Sequence, residues 1–355
     1  MGGAVKPSQV GLRLVMLGTA GGSATYPIDG SPGVARHGIA SALVVGGKVH
    51  LVDAGQGVTR QLTFADIGRH GPAGALSALR AIYLTHLHSD HTMDLANLVH
   101  CGYNQGWPQD SPVDIWGPGP RGAVPGVPDP ENPVVRPSDP TPGTSTFVRH
   151  LLEVFATDLN DRILTAHRRN PFTVLRAHDV LPPFDVDLAL GTSPPVEPWL
   201  VTEDDTVCVN ATLVEHGAMY PCLAYRFDTA DGSVVFSGDT VPSENLVRLS
   251  RGADVLVHEV IHAGYAAWPF GPGPLSPAQK RAVATVMSKH TSTDQVGAVA
   301  QAAGVGTLVL THLVPGSVPT EHWEQAVSGF DGRVVVGEDL LELHIGDRRV
   351  RLVRP

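Results

Sequence analysis

Tyr83-Leu84-Thr85-His86-Leu87-His88-Ser89-Asp90-His91 places four metal-ligand side chains within six residues, directly behind an apolar strand. In extended chain, residues i and i+2 point the same way. His86, His88 and Asp90 therefore face one pocket, and a turn at Asp90-His91 brings the last imidazole round to join them. Crowding such groups together without a partner is unfavourable; around metal ions they become neutral imidazole and carboxylate ligands. A solvated polar loop is the bland alternative. The H-x-H-x-D-H spacing straight after a hydrophobic strand argues against it, whereas a lone His-x-His would not.

The composition fits this reading and limits others. The chain has 355 residues and 17 histidines against 25 Lys+Arg, a high ratio of the commonest metal ligand. Its formal charge of −10 is the wrong sign for a protein gripping many phosphates, so nucleic acid is not the expected partner. No window approaches the roughly 18 apolar residues of a membrane span, and no signal peptide is legible at the N-terminus. Cys101, Cys208 and Cys222 are scattered and odd in number. They read as structural thiols of a cytoplasmic protein without a disulfide framework.

Along the chain, region 12–116 holds short β-rich runs (Leu12–Leu17, Ser41–Val45, Lys48–Val52, Arg80–Leu84, Val113–Trp116) with helical stretches near 57–66 and 91–100. Region 117–205 opens on the Pro/Gly tract Gly117–Gly143, which cannot be regular helix or central strand. With a helical stretch near 145–168 and more prolines at Pro182–Pro198, it reads as an insertion, a lid within a single domain spanning 1–355. Region 206–260 is strand-rich. The remainder alternates helices near 276–289, 293–303 and 319–329 with strands at Thr307–Leu310, Arg333–Val336 and Leu340–His344. Sheets with helices outside them make a layered α/β sandwich the expected architecture.

The His86–His91 motif resembles that of the metallo-β-lactamase superfamily, whose fold is an αββα four-layer sandwich with ligands on loops at one edge. That resemblance directs attention to His216, Asp239 and His312, each following an apolar strand (Leu213-Val214-Glu215-His216, Phe236-Ser237-Gly238-Asp239, Leu310-Thr311-His312). It implies that His86, His88 and His216 hold one metal, that Asp90, His91 and His312 hold the other, and that Asp239 bridges. Two Zn2+ ions are the expected cofactor, with Mn2+ or Fe2+ accepted by the same donors. Asp53, in Leu51-Val52-Asp53-Ala54-Gly55, matches a position that orients the ligand loop. Two such cations about 3.5–4 Å apart acidify a shared water from a pKa of about 15.7 toward 7, giving a hydroxide nucleophile beside Asp90.

The second half is similar to the ribonuclease Z-like branch. His258-Glu259-Val260-Ile261 and His290-Thr291-Ser292-Thr293 stand where that branch carries its HEAT and HST motifs. The resemblance implies that His290 is the proton donor to the leaving group and Glu259 its orienter; His258 reads as structural. Two tRNA-processing devices are missing. The loop Gly18–Ser23 through Pro32–His37 lacks the P-x-K-x-R-N motif, and only 23 residues (239 − 216) separate His216 from Asp239, too few for an exosite arm.

Arg60-Gln61-Leu62, Thr311-His312-Leu313-Val314-Pro315 and Val335-Val336-Gly337-Glu338-Asp339-Leu340 are closer to an arylsulfatase-like group of the same branch, whose relatives are often homodimers. The expected activity is hydrolysis of a phosphoester or sulfate ester of a small molecule. Carboxyl-ester, lactone or thioester hydrolysis and tRNA 3′ processing are the alternatives. A non-catalytic relative would have lost ligands, and a redox diiron protein would want Glu at His88. Trp107, Trp116, Phe147, Phe155, Phe172 and Trp199 are candidates to line an aromatic or lipidic substrate pocket, or else to form the lid's own core.

Overall fold

In the first strand, β1 (Leu12–Gly18), side chains alternate between two apolar layers. Leu12, Leu14 and Met16 enter one, Val15 and Leu17 the other, as the period of an extended chain requires. The computed structural model describes residues 11–22, 35–68, 76–108, 111–127, 129–271, 273–324, 327–346 and 349–353. The signal-peptide expectation, which concerns the N-terminus, and residues 23–34 of the Gly-rich loop lie outside them.

One sheet has eight strands: β1, β2 (Ala40–Val45), β3 (Lys48–Val52), β4 (Leu79–Tyr83), β5 (Val113–Pro118) and β6 (Leu175–Val180), with two from the C-terminus described below. β3 to β6 run parallel. The other sheet has seven: β7 (Trp199–Glu203), β8 (Cys208–His216), β9 (Met219–Asp228), β10 (Ser233–Phe236), β11 (Val255–Ile261), β12 (Thr307–Val314) and β13 (Arg333–Val336). There β10 to β13 run parallel. The chain then returns to the first sheet, where β14 (Glu342–Gly346) pairs with β1 and β15 (Arg349–Val353) forms the edge.

Helices α1 (Val58–Phe64), α2 (Ser89–Thr92), α3 (Leu95–Gln105), α4 (Thr144–Val154) and α5 (Ala156–Ala166) belong to the first half. α1, α3, α4 and α5 cover the outer face of the first sheet. In the second half, α6 (Glu244–Ser250) and α8 (Thr293–Ala303) cover the outer face of the other sheet, and α7 (Pro277–Met287) and α9 (Thr320–Glu324) are the further α-helices among the described residues. Between the sheets lies a third apolar layer containing Tyr83, Leu213, Tyr225, Phe227, Val257 and Val309. The order of layers is α–β–β–α. Ser292 starts α8 with a capping box, its partner being Gln295, so part of the His290–Thr293 motif serves to stop and start chain direction.

The inserted lid expected over 117–205 is corrected by this topology. Its residues supply β6 to one sheet, β7 to the other, and α4 and α5 to the outer layer. β6 reads poorly as a strand because it is a sheet-edge strand carrying Arg176, His178 and Asp179. The single helical stretch expected near 145–168 is two helices meeting at Phe155. Of the aromatic candidates, Trp107, Phe147 and Phe155 pack in the outer helix–sheet layer, Trp116 and Trp199 in the intersheet layer, and Phe172 is exposed. The cysteines are free; Cys222 is buried, Cys101 and Cys208 partly so. Among the described residues, no helix is long and apolar enough to cross a membrane.

His50 on β3 is 2% exposed, and neither ring nitrogen has a hydrogen-bond partner among the described residues. Burial lowers its pKa from 6.5 to about 4. The unfolded chain therefore takes up this proton before the folded chain does. The resulting stability is present above pH 6.5 and is lost as pH falls from 6.5 to about 4. The loss amounts to about 3 kcal/mol. Denaturant unfolding across that range should show His50→Leu with a correspondingly flatter pH dependence than the parent chain; parallel curves would rule out this role.

Candidate metal centre

The parallel strands of both sheets end at one edge, and the site is assembled there. Asp53 follows β3, the His86–His91 loop follows β4, and His216 closes β8. Asp239 lies just past β10, while Glu259 and His312 sit near the ends of β11 and β12. All seven side chains singled out in the sequence as ligands come together. Donor atoms of His86, His88 and His216 lie within 4.8 Å of one another, as do those of Asp90, His91 and His312, and those of His86, His91 and Asp239. Asp239 Oδ2 stands among four imidazoles, 3.3 Å from His312 Nε2, 3.4 Å from His91 Nε2, 3.6 Å from His216 Nε2 and 3.9 Å from His86 Nε2.

Gly238 makes this placement feasible. Its φ is +59°, and a Cβ there would lie 2.6 Å from the Leu223 carbonyl oxygen. Only glycine accepts both conditions, and the turn it makes directs Asp239 into the pocket.

These donors fit a metal. Two ligand atoms on one tetrahedral ion, each about 2.0–2.2 Å from it, stand about 3.3 Å apart; His312 and His91 stand 3.3 and 3.4 Å from Asp239 Oδ2. His91 Nε2 and Asp239 Oδ1 are buried without a hydrogen-bond partner among the described residues, as expected of atoms meant for a cation. The protonation states agree. Burial, then repulsion from neighbouring imidazoles, holds His86 well below its usual range and His88 at about 4. Burial also lowers His216. Burial works to raise Asp239, but His312 and His91 outweigh it and keep the carboxylate ionised. At Asp90 burial is likewise outweighed, by its hydrogen bond with His312 and the charge of His91. His91 is the exception: burial would lower it, yet Asp239 and Asp53 hold it well above the usual range. A cation at that position takes the place of the proton.

A surrounding set of contacts fixes these ligands. Asp53 Oδ1 accepts from the Thr85 backbone N–H at 2.8 Å, and Oδ2 pairs with His91 Nδ1 at 2.9 Å, leaving Nε2 for the pocket. The His216 Nδ1–H donates to the Lys289 carbonyl at 2.9 Å, with the same effect. Asp53 and His312 both have left-handed backbones, φ +59° and +44°, a strain of about 1–3 kcal/mol each held by the surroundings. Beside the cluster, Glu259 Oε1 accepts the backbone N–H groups of Thr240 and Thr291, each at 3.0 Å, and lies 3.2 Å from His290 Nδ1. Burial pulls His290 down, but the Glu259 charge prevails and raises its pKa to about 9. The His290 ring lies 4.8 Å from that of His216 and 5.5 Å from that of His312. His258 is fully buried and donates from Nδ1 to the Glu259 carbonyl.

Sequence reasoning missed Thr85, Thr240 and Thr291 as supports of the two carboxylates. It also missed the Lys289 carbonyl, a backbone atom that leaves no trace in residue type.

Comparison with known proteins places the chain. Residues 50–313 match the beta-lactamase superfamily domain. A "Ribonuclease Z" from Mycobacterium bovis is 30% identical over 347 residues, covering 95% of this chain and all of the relative. Two solved structures share the fold. The short form of human tRNase Z has a TM-score of 0.56 at 19% identity, covering 93% of this chain and 98% of that one. A diphosphatase from the PhnP family has a TM-score of 0.57 at 17% identity, covering 94% and 97%. The chain belongs to the metallo-β-lactamase superfamily, in its ribonuclease Z-like branch, and has the fold of its metal-dependent hydrolases.

Asp53→Asn keeps the volume but turns an amide N–H toward His91 Nδ1, driving the imidazole proton onto Nε2, the atom the metal needs. The chain should fold while zinc affinity, measured by competition with a chelator, falls about 10–100-fold. Unchanged affinity would show that Asp53 does not set this tautomer.

Proposed function

We propose that this chain is a dinuclear-metal hydrolase cleaving a phosphoester, or by the same chemistry a sulfate ester, of a small molecule, with His290 giving the proton to the leaving oxygen. The observation that carries this reading is the buried Glu259–His290 pair standing beside the cluster of His216, Asp239 and His312. His86, His88 and His216 would hold one ion and Asp90, His91 and His312 the other, with Asp239 between them. Zinc suits this imidazole–carboxylate set, and manganese or iron would also be accepted. Bound there, the ions would supply Lewis acidity, lowering the pKa of water from about 15.7 toward 7 and polarising the scissile bond.

The chain's own residues do the rest. Asp53 and the Lys289 carbonyl hold the His91 and His216 rings so that their Nε2 atoms point inward. Glu259, pinned by two backbone N–H groups, keeps a proton on His290 Nδ1 and leaves the other ring nitrogen to act on the leaving group.

A small substrate is supported by the turn between β8 and β9, which joins His216 to Met219 with only two residues between and carries no arm, and by the net charge of −10. The name of the mycobacterial relative favours a second reading, cleavage of an RNA 3′ end, which those same two features oppose.

Zinc-loaded protein assayed on aryl phosphodiester, aryl phosphate, aryl sulfate, lactone and precursor tRNA should turn over the first three classes best. Turnover of precursor tRNA alone would reverse the assignment. Asp239→Ala should lose metal and activity together. His290→Ala should retain about two zinc ions per chain, the number expected of a dinuclear site, yet lose about 10²–10⁴-fold in kcat, most for poor leaving groups. Undiminished kcat on such substrates would remove His290 from the role of acid.

A further inference from the structure

Glu259 and Thr311 are register partners across β11 and β12, so their side chains leave the same face of the sheet next to each other. Both are buried, at 1% and 6% exposure. Glu259 Oε1 is committed to the Thr240 and Thr291 N–H groups and to His290. Glu259 Oε2 and Thr311 Oγ1, by contrast, have no hydrogen-bond partner among the described residues. Both residues border a cavity of about 20 Å3 between the two sheets, which also touches Ser41, Thr85, Ser237 and Asp239.

The three hydroxyls among those neighbours are already committed. Ser41 donates to the Met16 sulfur, Thr85 to Asp53, and Ser237 to the Gly238 carbonyl. Of the hydroxyls on residues bordering the cavity, Thr311 Oγ1 is the one without a hydrogen-bond partner among the described residues; the bordering residues also carry Glu259 Oε2, Asp239 Oδ1, His91 Nε2 and His312 Nδ1 without one, the last three belonging to the metal ligands. A polar space of more than about 10–15 Å3 with two to four partners is what one buried water requires.

We infer that this cavity binds one water, which accepts from Thr311 Oγ1 and donates to Glu259 Oε2, and that Thr311 is a positioning residue for Glu259 and, through it, for His290. One carboxylate oxygen is fixed by two backbone N–H groups, while the other is a free end about which the group can tilt. The water restrains that end and so sets where Oε1 presents itself to His290. The consequence for turnover rests on the proposed role of His290 as acid; the water site itself does not.

The test uses the full-length zinc-loaded protein. High-resolution crystallography should show one ordered water within hydrogen-bonding distance of both Thr311 Oγ1 and Glu259 Oε2. Dry density, or a direct Thr311–Glu259 bond, overturns the inference. Thr311→Val, which removes the hydroxyl at nearly constant volume, should lose that water and keep the zinc content. On a series of aryl phosphodiesters it should lower kcat about 10-fold for the poorest leaving groups with KM unchanged, an effect of the size seen for outer-shell partners. Thr311→Ser should restore both the water and the rate. In a His290→Ala background, Thr311→Val should add nothing further. An equal loss across all leaving groups, or an additive loss in that background, overturns the positioning role. If His290→Ala by itself spares poor leaving groups, the acid assignment fails while the density still decides the water site.

Discussion

The buried Asp239 carboxylate and the partly buried Asp90 stand among a cluster of imidazoles, of which burial suppresses protonation of His86, His88 and His216, and the rest of the molecule is organised around holding that arrangement. Charges removed from water are strongly destabilising unless opposite charge and hydrogen bonds surround them. Asp239 meets the condition by placing one oxygen within 3.9 Å of four ring nitrogens. The set is unbalanced as a protein-only cluster, since His91 Nε2 and Asp239 Oδ1 are left without a hydrogen bond among the described residues. It becomes balanced when divalent cations complete it, which links metal binding to the stability of this edge of the sandwich.

The fold makes such a cluster feasible because no single element bears its cost. The donors are delivered from the ends of four strands, β4, β8, β10 and β12, and the strands are locked by three apolar layers. Local strain at His312 is held inside β12, and at Asp53, just past β3, by its hydrogen bonds with Thr85 and His91. The orienting groups follow the same rule. Asp53 acts on His91 from the first sheet and Glu259 on His290 from the second, so the two halves of the chain each contribute a ligand set and a carboxylate that aims one of its histidines.

Electrostatics and shape bear jointly on the choice of substrate. The mycobacterial ribonuclease Z relative matches 95% of this chain at 30% identity. Yet the hairpin leading from His216 is short, and the chain as a whole is acidic. A long polyanion gains its affinity from distributed cationic contacts; a small ester gains it from the site alone. That contrast is the physical basis for reading the site as one for small esters.

The seven ligand-type residues were legible because their signals are local. His86, His88, Asp90 and His91 are packed into six residues after an apolar strand, and His216, Asp239 and His312 each close an apolar run, so residue type and position were sufficient to single them out, although the extended chain expected through Asp90 is instead the short helix α2. The apolar run Leu12–Leu17 likewise announced a first strand, β1. What depends on contacts distant in sequence was not legible. Residues 117–205 looked like an insertion because prolines and the charged edge strand β6 hide the pairing that joins both sheets. The pairing of Asp53 with His91, 38 positions apart, is set by the parallel neighbours β3 and β4. The Lys289 carbonyl on His216 joins residues 73 positions apart, and the cavity shared by Glu259 and Thr311 exists only once the two sheets face each other. The sequence by itself determined which chemistry the chain carries, because ligand identity is a property of side chains. Only the tertiary structure decided how those side chains are aimed and what supports them, because aim is a property of strand register and packing.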